Sequence, residues 1–238
     1  MKAERVSLSP AYLLHQRAWR ETSRLLEIWS REHGRIGLVA RGVRRPNSPQ
    51  RSLLQPFMPL LMSWSQRSEL GNLGAVETSG MAAALRGRPL MAAFYMNELL
   101  LRLLPRQDAH PGLYDAYAVT LDALAGARPA AALRIFETQL LSAIGYGLNL
   151  GQTSSGEDVD VETDYLYDLE DGPRLAQGRK GPGVPVSGRA LLALQSGALD
   201  DADDLKAAKR LLAAALERHL DGRALKTSGV MRALARKA

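Results

Sequence analysis

The chain has 238 residues, with 31 Lys plus Arg against 25 Asp plus Glu, a formal net charge of +6 and no cysteine. A 46% hydrophobic content is enough to bury a core and excludes a disordered chain. The missing cysteines exclude disulfides and thiolate metal sites, which fits a reducing compartment, and a basic pI of about 9.8 is compatible with a polyanionic partner.

Residues 1–80 read as short strands separated by breakers. Apolar or alternating runs at 12–14, 23–29, 35–40, 53–64 and 71–78 predict five strands. Five strands in so short a stretch suggest a small, partly open barrel such as the OB-fold. From Gly34 to Ser68 there is no Asp or Glu, yet Arg35, Arg41, Arg44, Arg45, Arg51 and Arg67 all fall there. Arginine's planar fork suits phosphate oxygens, so this segment asks for an anionic partner, with nucleic acid the first candidate. Trp19, Trp29 and Trp64 also lie in this part, with Phe57. Each is a candidate for stacking on bases, with a place in the barrel core as the alternative; Trp19, beside Arg17 and Arg20, is the best placed.

After Gly80 the texture changes to alanine and leucine at helical spacing. Helices are predicted over 90–104, stopped by Pro105, over 113–124, and from Pro129 to a cap at Gly145. Leu133, Phe136, Leu140, Leu141 and Ile144 form the apolar stripe of the third. Residues 151–187 combine an acidic run with a Gly/Pro-rich stretch around 178–185 and read as an irregular insert, with a short strand pair at 165–169. A last helix begins near Asp200, with Leu205, Ala208, Leu212 and Leu216 on its buried face. The fold class is therefore α+β, with an N-terminal barrel over 1–80 and a mainly helical domain over 81–238. Arg223, Arg236 and Lys237 add a second basic patch at the C-terminal end.

Catalytic chemistry finds no support. The histidines His15, His33, His110 and His219 are scattered, and no nucleophile elbow or phosphate loop occurs. The acidic run reads as a solvated surface rather than a metal site, so no metal and no cofactor is expected. Residues 1–7 lack the apolar core of a signal peptide, and the apolar stretch at 99–104 is cut by Arg102, which points to a soluble cytoplasmic protein with no membrane association.

Several strings resemble the RecO family of bacterial recombination and repair proteins. They are residues 14–23, 34–44 and 54–61 in the first part, then 97–104, 114–117, 133–137 with Leu140 and Leu141, 145–147 and 225–228. The resemblance implies an OB-fold followed by a helical domain, in a non-enzymatic, nucleoid-associated protein. It implies binding of single- and double-stranded DNA, annealing of complementary strands, and action with RecR to load RecA onto DNA coated by single-stranded-DNA-binding protein. Arg17, Arg35, Arg41, Arg44, Arg45, Arg51 and Arg67 are then the candidate DNA contacts. Many family members carry a four-cysteine zinc site after the Gly-Tyr-Gly motif, which this sequence lacks. By position in the motif, Arg134 is the candidate for the acidic tail of single-stranded-DNA-binding protein, with an apolar groove formed near Leu133 and Phe136. The alternative is a non-enzymatic interaction scaffold whose arginines face acidic proteins.

Overall fold

A computed structural model describes residues 4–176, 181–220, 222, 224–227 and 229–230. The Gly/Pro-rich stretch at 178–180 and the basic residues Arg223, Arg236 and Lys237 lie outside the described residues. By compactness the chain divides into residues 1–125 with 225–238, and residues 126–224. The compositional change near residue 80 marks where strands give way to helices; the first two helices then pack with the strands.

In the first unit, β1 (Glu4–Trp19), β2 (Ser23–Ser30), β3 (Gly34–Ala40), β4 (Leu60–Gln66) and β5 (Leu70–Thr78) close a barrel in the order β1-β2-β3-β5-β4. All neighbours are antiparallel except β3 and β5, which run parallel. This is the OB arrangement expected from the strand count. β1 pairs with β2 along its second half and with β4 along its first, and register shifts between Val6 and Ser9 and between Leu13 and His15 let it bend to do both. Glycines give the leucines room where β3 and β5 meet: a Cβ at Gly37 would lie 2.7 Å from the Leu70 side chain, and one at Gly71 2.8 Å from that of Leu38. Leu13, Leu26, Ile28, Ile36, Leu38, Leu60, Met62 and Trp64 fill the interior.

The strand expected over 53–64 is shorter than its apolar run. Residues from Gln50 to Leu53 form a short helix, α1, and β4 starts only at Leu60. Pro49 sets the helical backbone at its start, and Pro56 and Pro59 carry no N–H for a ladder until the chain has passed them.

The unit continues with α2 (Gly87–Leu103) and α3 (Pro111–Leu124). The Tyr117 hydroxyl donates to Asn97 Oδ1 at 2.6 Å, and Asn97 Nδ2 donates to the Leu14 carbonyl at 3.1 Å, so α3, α2 and β1 are joined by one buried chain of hydrogen bonds. Tyr12, Trp29, Tyr114 and Tyr117 pack their rings around it, with centroids 5.0–5.6 Å apart.

The second unit holds α4 (Pro129–Ala143), a three-stranded antiparallel sheet, and two further helices. Its strands are β6 (Asp164–Asp168), β7 (Gly172–Leu175) and β8 (Val184–Ser187), in the order β7-β6-β8. The stretch expected to be an irregular insert thus contains a sheet, and the strand pair expected at 165–169 is its centre strand with a partner on each side. Helix α5 (Gly188–Ser196) has no counterpart in the sequence reading, because its start adjoins the Gly/Pro-rich stretch. Helix α6 (Ala202–His219) opens as expected: Asp201 Oδ1 accepts from the Asp203 and Asp204 N–H groups at 2.8 and 3.1 Å.

Candidate nucleic-acid interface

The β1–β2 turn occupies residues 20–22, where Arg20 takes a left-handed φ of 50° to reverse the chain. The loop leaving β3 begins at Arg41 and folds back onto this turn. Its Arg44 N–H donates to the Thr22 carbonyl at 2.9 Å, and Arg44 Nη1 donates to the Arg20 carbonyl at 3.1 Å. The loop then tightens, with the Arg45 N–H donating to the Gly42 carbonyl at 3.0 Å. Arg20, Arg41, Arg44 and Arg45 are all exposed at this end of the barrel.

Arg17 and Arg24 reach the same end along their strands. Arg24 pairs in register with Ala18 and Ala40, and its Nη1 donates to Gln16 Oε1 at 2.7 Å. The Arg17 guanidinium lies 5.6 Å from the centre of the Trp19 ring. Glu21 is the one acid in the turn, and among the described residues no carboxylate forms an ion pair with Arg17, Arg20, Arg24, Arg41, Arg44 or Arg45. Such a cluster attracts an anion and repels itself in the absence of one. Arg51, exposed on α1, follows through two consecutive turns of the same loop. Arg20 and Arg24 were not among the expected contacts, and the signal for them is the hairpin register, which brings both beside the arginines of the β3 loop.

Arg35 does not belong to this surface. Its side chain is only 12% exposed, its Nη1 donates to the Leu101 and Leu104 carbonyls at the end of α2, and its Nη2 lies 3.5 Å from Glu27. Burial holds the guanidinium pKa below its usual value, against the opposing pull of Glu27. The absence of an acid nearby in sequence misleads here, because the neutralising carboxylate comes from the neighbouring strand. Arg35 caps a helix C-terminus, where orphan carbonyls and the helix dipole favour a cation.

That contact also shapes the barrel face. Leu26, Ile28, Ile36, Leu38 and Ala40 point inwards, so alternation turns Leu25, Glu27, Trp29, Arg35, Gly37 and Val39 outwards. This outer β2–β3 face is the usual ligand surface of OB folds. One half of it, around Trp29, Arg35 and Gly37, is covered by Tyr114, Tyr117, the end of α2 and Arg106, which also pairs with Glu27. The other half, around Leu25 and Val39 and beside Arg17 and Trp19, stays partly exposed and adjoins the arginine-lined end.

Arg67 stands apart, in the turn between β4 and β5 where Gln66 pairs with Glu4 at the opposite end of β1 from the β1–β2 turn. It lines an open hollow with Glu4, Glu69 and Arg106, so its surroundings carry both signs.

In the second unit, Leu133 is 7% exposed and Phe136 fully buried, so neither is the wall of an open groove. Arg134 on the same helix is also buried, and its Nη2 lies 2.8 Å from Glu137 Oε1. The expected groove is replaced by core packing with an ion pair inside it. Among the described residues no three His, Asp or Glu side chains converge as a metal-holding group.

A closed five-stranded barrel of OB topology with an arginine-lined end, followed by helices and a small sheet, defines the class: an α+β protein built on an OB fold. The family description "Recombination protein O N terminal" matches residues 5–81, and "Recombination protein O C terminal" matches residues 86–229. The chain is 48% identical over 239 residues to DNA repair protein RecO of Alkalilimnicola ehrlichii, covering 99% of this chain and 95% of that one. It is 45% identical to the protein of the same name in Nitrosococcus oceani, covering 98% and 95% of the two chains. With the RecO protein of Methylococcus capsulatus the identity is 45%, covering 96% and 94%. The chain belongs to the RecO family, and its role lies in DNA repair and recombination.

Proposed function

We propose that the chain is a non-enzymatic recombination mediator. It binds single- and double-stranded DNA, anneals complementary strands, and acts with RecR to load RecA onto DNA coated by single-stranded-DNA-binding protein, in the nucleoid-associated cytoplasm. Residues 1–80 serve as the DNA-binding domain and residues 81–238 as the partner-docking domain. Arg17, Arg41, Arg44, Arg45 and Arg51 hold phosphates; Arg67 contributes at most from the far end of the barrel, and Arg35 serves the fold.

The observation that carries this reading is the arginine cluster at the β1–β2 turn, which has no acidic ion-pair partner among the described residues and is fixed by the Arg44 contacts to Arg20 and Thr22. Backbone contacts of this kind are blind to sequence, and screening phosphate repulsion lets two strands approach while base pairing supplies the specificity. Scattered histidines and the lack of a catalytic motif support a protein that does no covalent chemistry. For the acidic tail of single-stranded-DNA-binding protein, Arg134 is the candidate contact, and to reach the tail carboxylate it has to leave Glu137 and its buried position on α4.

Strand annealing tests the proposal, on bare strands and on strands coated with single-stranded-DNA-binding protein. The combined variant Arg41→Ala, Arg44→Ala, Arg45→Ala should lose annealing on both, and Arg134→Ala on coated strands alone. Wild-type annealing by the triple variant would refute the DNA-binding assignment.

A further inference from the structure

Of the three tryptophans, Trp29 is fully buried against Tyr114 and Tyr117, and Trp64 is 4% exposed inside the barrel. Trp19 is the one left partly exposed. It sits at the last rung of the β1–β2 ladder, opposite Ser23, so its backbone is held by a strand rather than a free loop. The turn that follows is itself fixed by Arg44. Alternation along β1 after its bulge sends Gln16 to the side of Leu26 and places Arg17 and Trp19 on the outer side, next to Leu25, which in turn pairs with Val39.

We propose that Trp19 is a stacking site for an unpaired nucleobase, with Arg17 lying over the indole and the Leu25–Val39 pair as an apolar floor beside it. This rests on the DNA-binding reading above and adds to it a means of telling single from double strands. The arginines neutralise phosphates of either form, whereas an indole can stack only on a base released from its duplex neighbours. The position agrees with the shape of the barrel face. Helices close the half around Trp29 and Arg35, so a strand held by the arginines meets the outer face only at the half that Trp19 borders. The indole has little side-chain entropy to lose on binding, which suits a preformed platform.

The test compares Trp19→Ala and Trp19→Phe with the wild type and with the triple arginine variant, using oligo-dT and a duplex of equal length at one salt concentration. Trp19→Ala should weaken oligo-dT binding by about 5- to 100-fold and leave duplex binding within about twofold, with Trp19→Phe recovering most of the loss. Oligo-dT should also quench the tryptophan emission of the wild type, and this quenching should vanish in Trp19→Phe, which keeps an aromatic ring and so preserves the fold. Equal loss on both DNA forms, unchanged oligo-dT affinity, or quenching that persists in Trp19→Phe would overturn the assignment. If the triple arginine variant binds as the wild type does, the DNA-binding reading itself fails; if that variant is impaired and Trp19→Ala is not, only the stacking site fails.

Discussion

Arg44 holds Arg20 in place: its guanidinium donates to the Arg20 carbonyl at 3.1 Å, beside its own N–H bonded to Thr22. The residue therefore contributes a charge and also fixes the turn that carries the neighbouring charges. Arg44→Ala loses both, whereas Arg41→Ala and Arg45→Ala lose charge alone. Single-strand affinity should fall further for Arg44→Ala than for either neighbour, by an additional factor of about 2–12, the worth of one hydrogen bond. Arg44→Lys should restore the salt dependence but only part of the affinity, since an ammonium lacks the fork that reaches the carbonyl. Fluorescence anisotropy of a labelled strand reads both.

Arg35 should behave in the opposite way. Its side chain is 12% exposed and engaged by two helix-terminal carbonyls and Glu27, so Arg35→Ala leaves the Leu101 and Leu104 carbonyls without this donor and Glu27 with Arg106 as its remaining cation. A loss of about 2–4 kcal/mol in denaturant unfolding is expected, with DNA affinity of the folded protein within about twofold of the wild type. An unchanged unfolding midpoint with weakened DNA binding would return Arg35 to the interface.

Much of the first unit is legible in the sequence, because alternation in β2 and β3 and the strand count lead directly to the barrel. The apolar run before β4 misleads because periodicity weighs Leu53 and Leu54 but not the prolines that delay the ladder. The helix α5 is obscured by the Gly/Pro-rich stretch before it. The arginine cluster is readable as a charge excess, but its membership is not: Arg35 and Arg44 look alike in the sequence, and only strand register shows that Glu27 faces one while the turn faces the other. The Arg134–Glu137 pair, by contrast, stands at i, i+3 on one helix, a spacing that allows such a contact to be foreseen.

The C-terminal residues make a pH-dependent contact. Glu98 on α2 accepts from the Lys226 and Thr227 N–H groups at 2.9 Å each and from the Thr227 hydroxyl at 2.7 Å, and it pairs with Arg102 at 3.0 Å. Burial pushes its carboxyl pKa up, but these donors together with Arg102 outweigh that and hold it below the usual value. A depressed carboxylate stabilises in full above its unfolded pKa, about 4.3, and the contribution is lost as pH falls through the lower folded value. Attachment of residues 226–227 should thus be constant near neutrality and weaken below about pH 4. Protection of the Thr227 amide, its exchange measured relative to the intrinsic rate at the same pH, should fall there in the wild type, and at neutral pH already in Glu98→Ala.

Arg134 faces a carboxylate whose side chain is only 1% exposed, so Arg134→Ala should lower unfolding stability by about 2–4 kcal/mol whatever it does to partner binding. Arg134→Lys keeps the charge and should recover most of that stability. If capture of the acidic tail requires the guanidinium fork, tail binding by Arg134→Lys stays weak in a stable protein; calorimetry with a tail peptide separates the two effects.

The most direct measurement is the slope of single-strand affinity against salt, on logarithmic axes, for the wild type and for Arg41→Ala, Arg44→Ala, Arg45→Ala together. Each phosphate contact on a single strand contributes about 0.7 to the slope. Loss of three should make it shallower by about 2, with weaker binding at every low-salt point. A slope and affinity equal to those of the wild type would contradict the assignment of this end of the barrel to DNA.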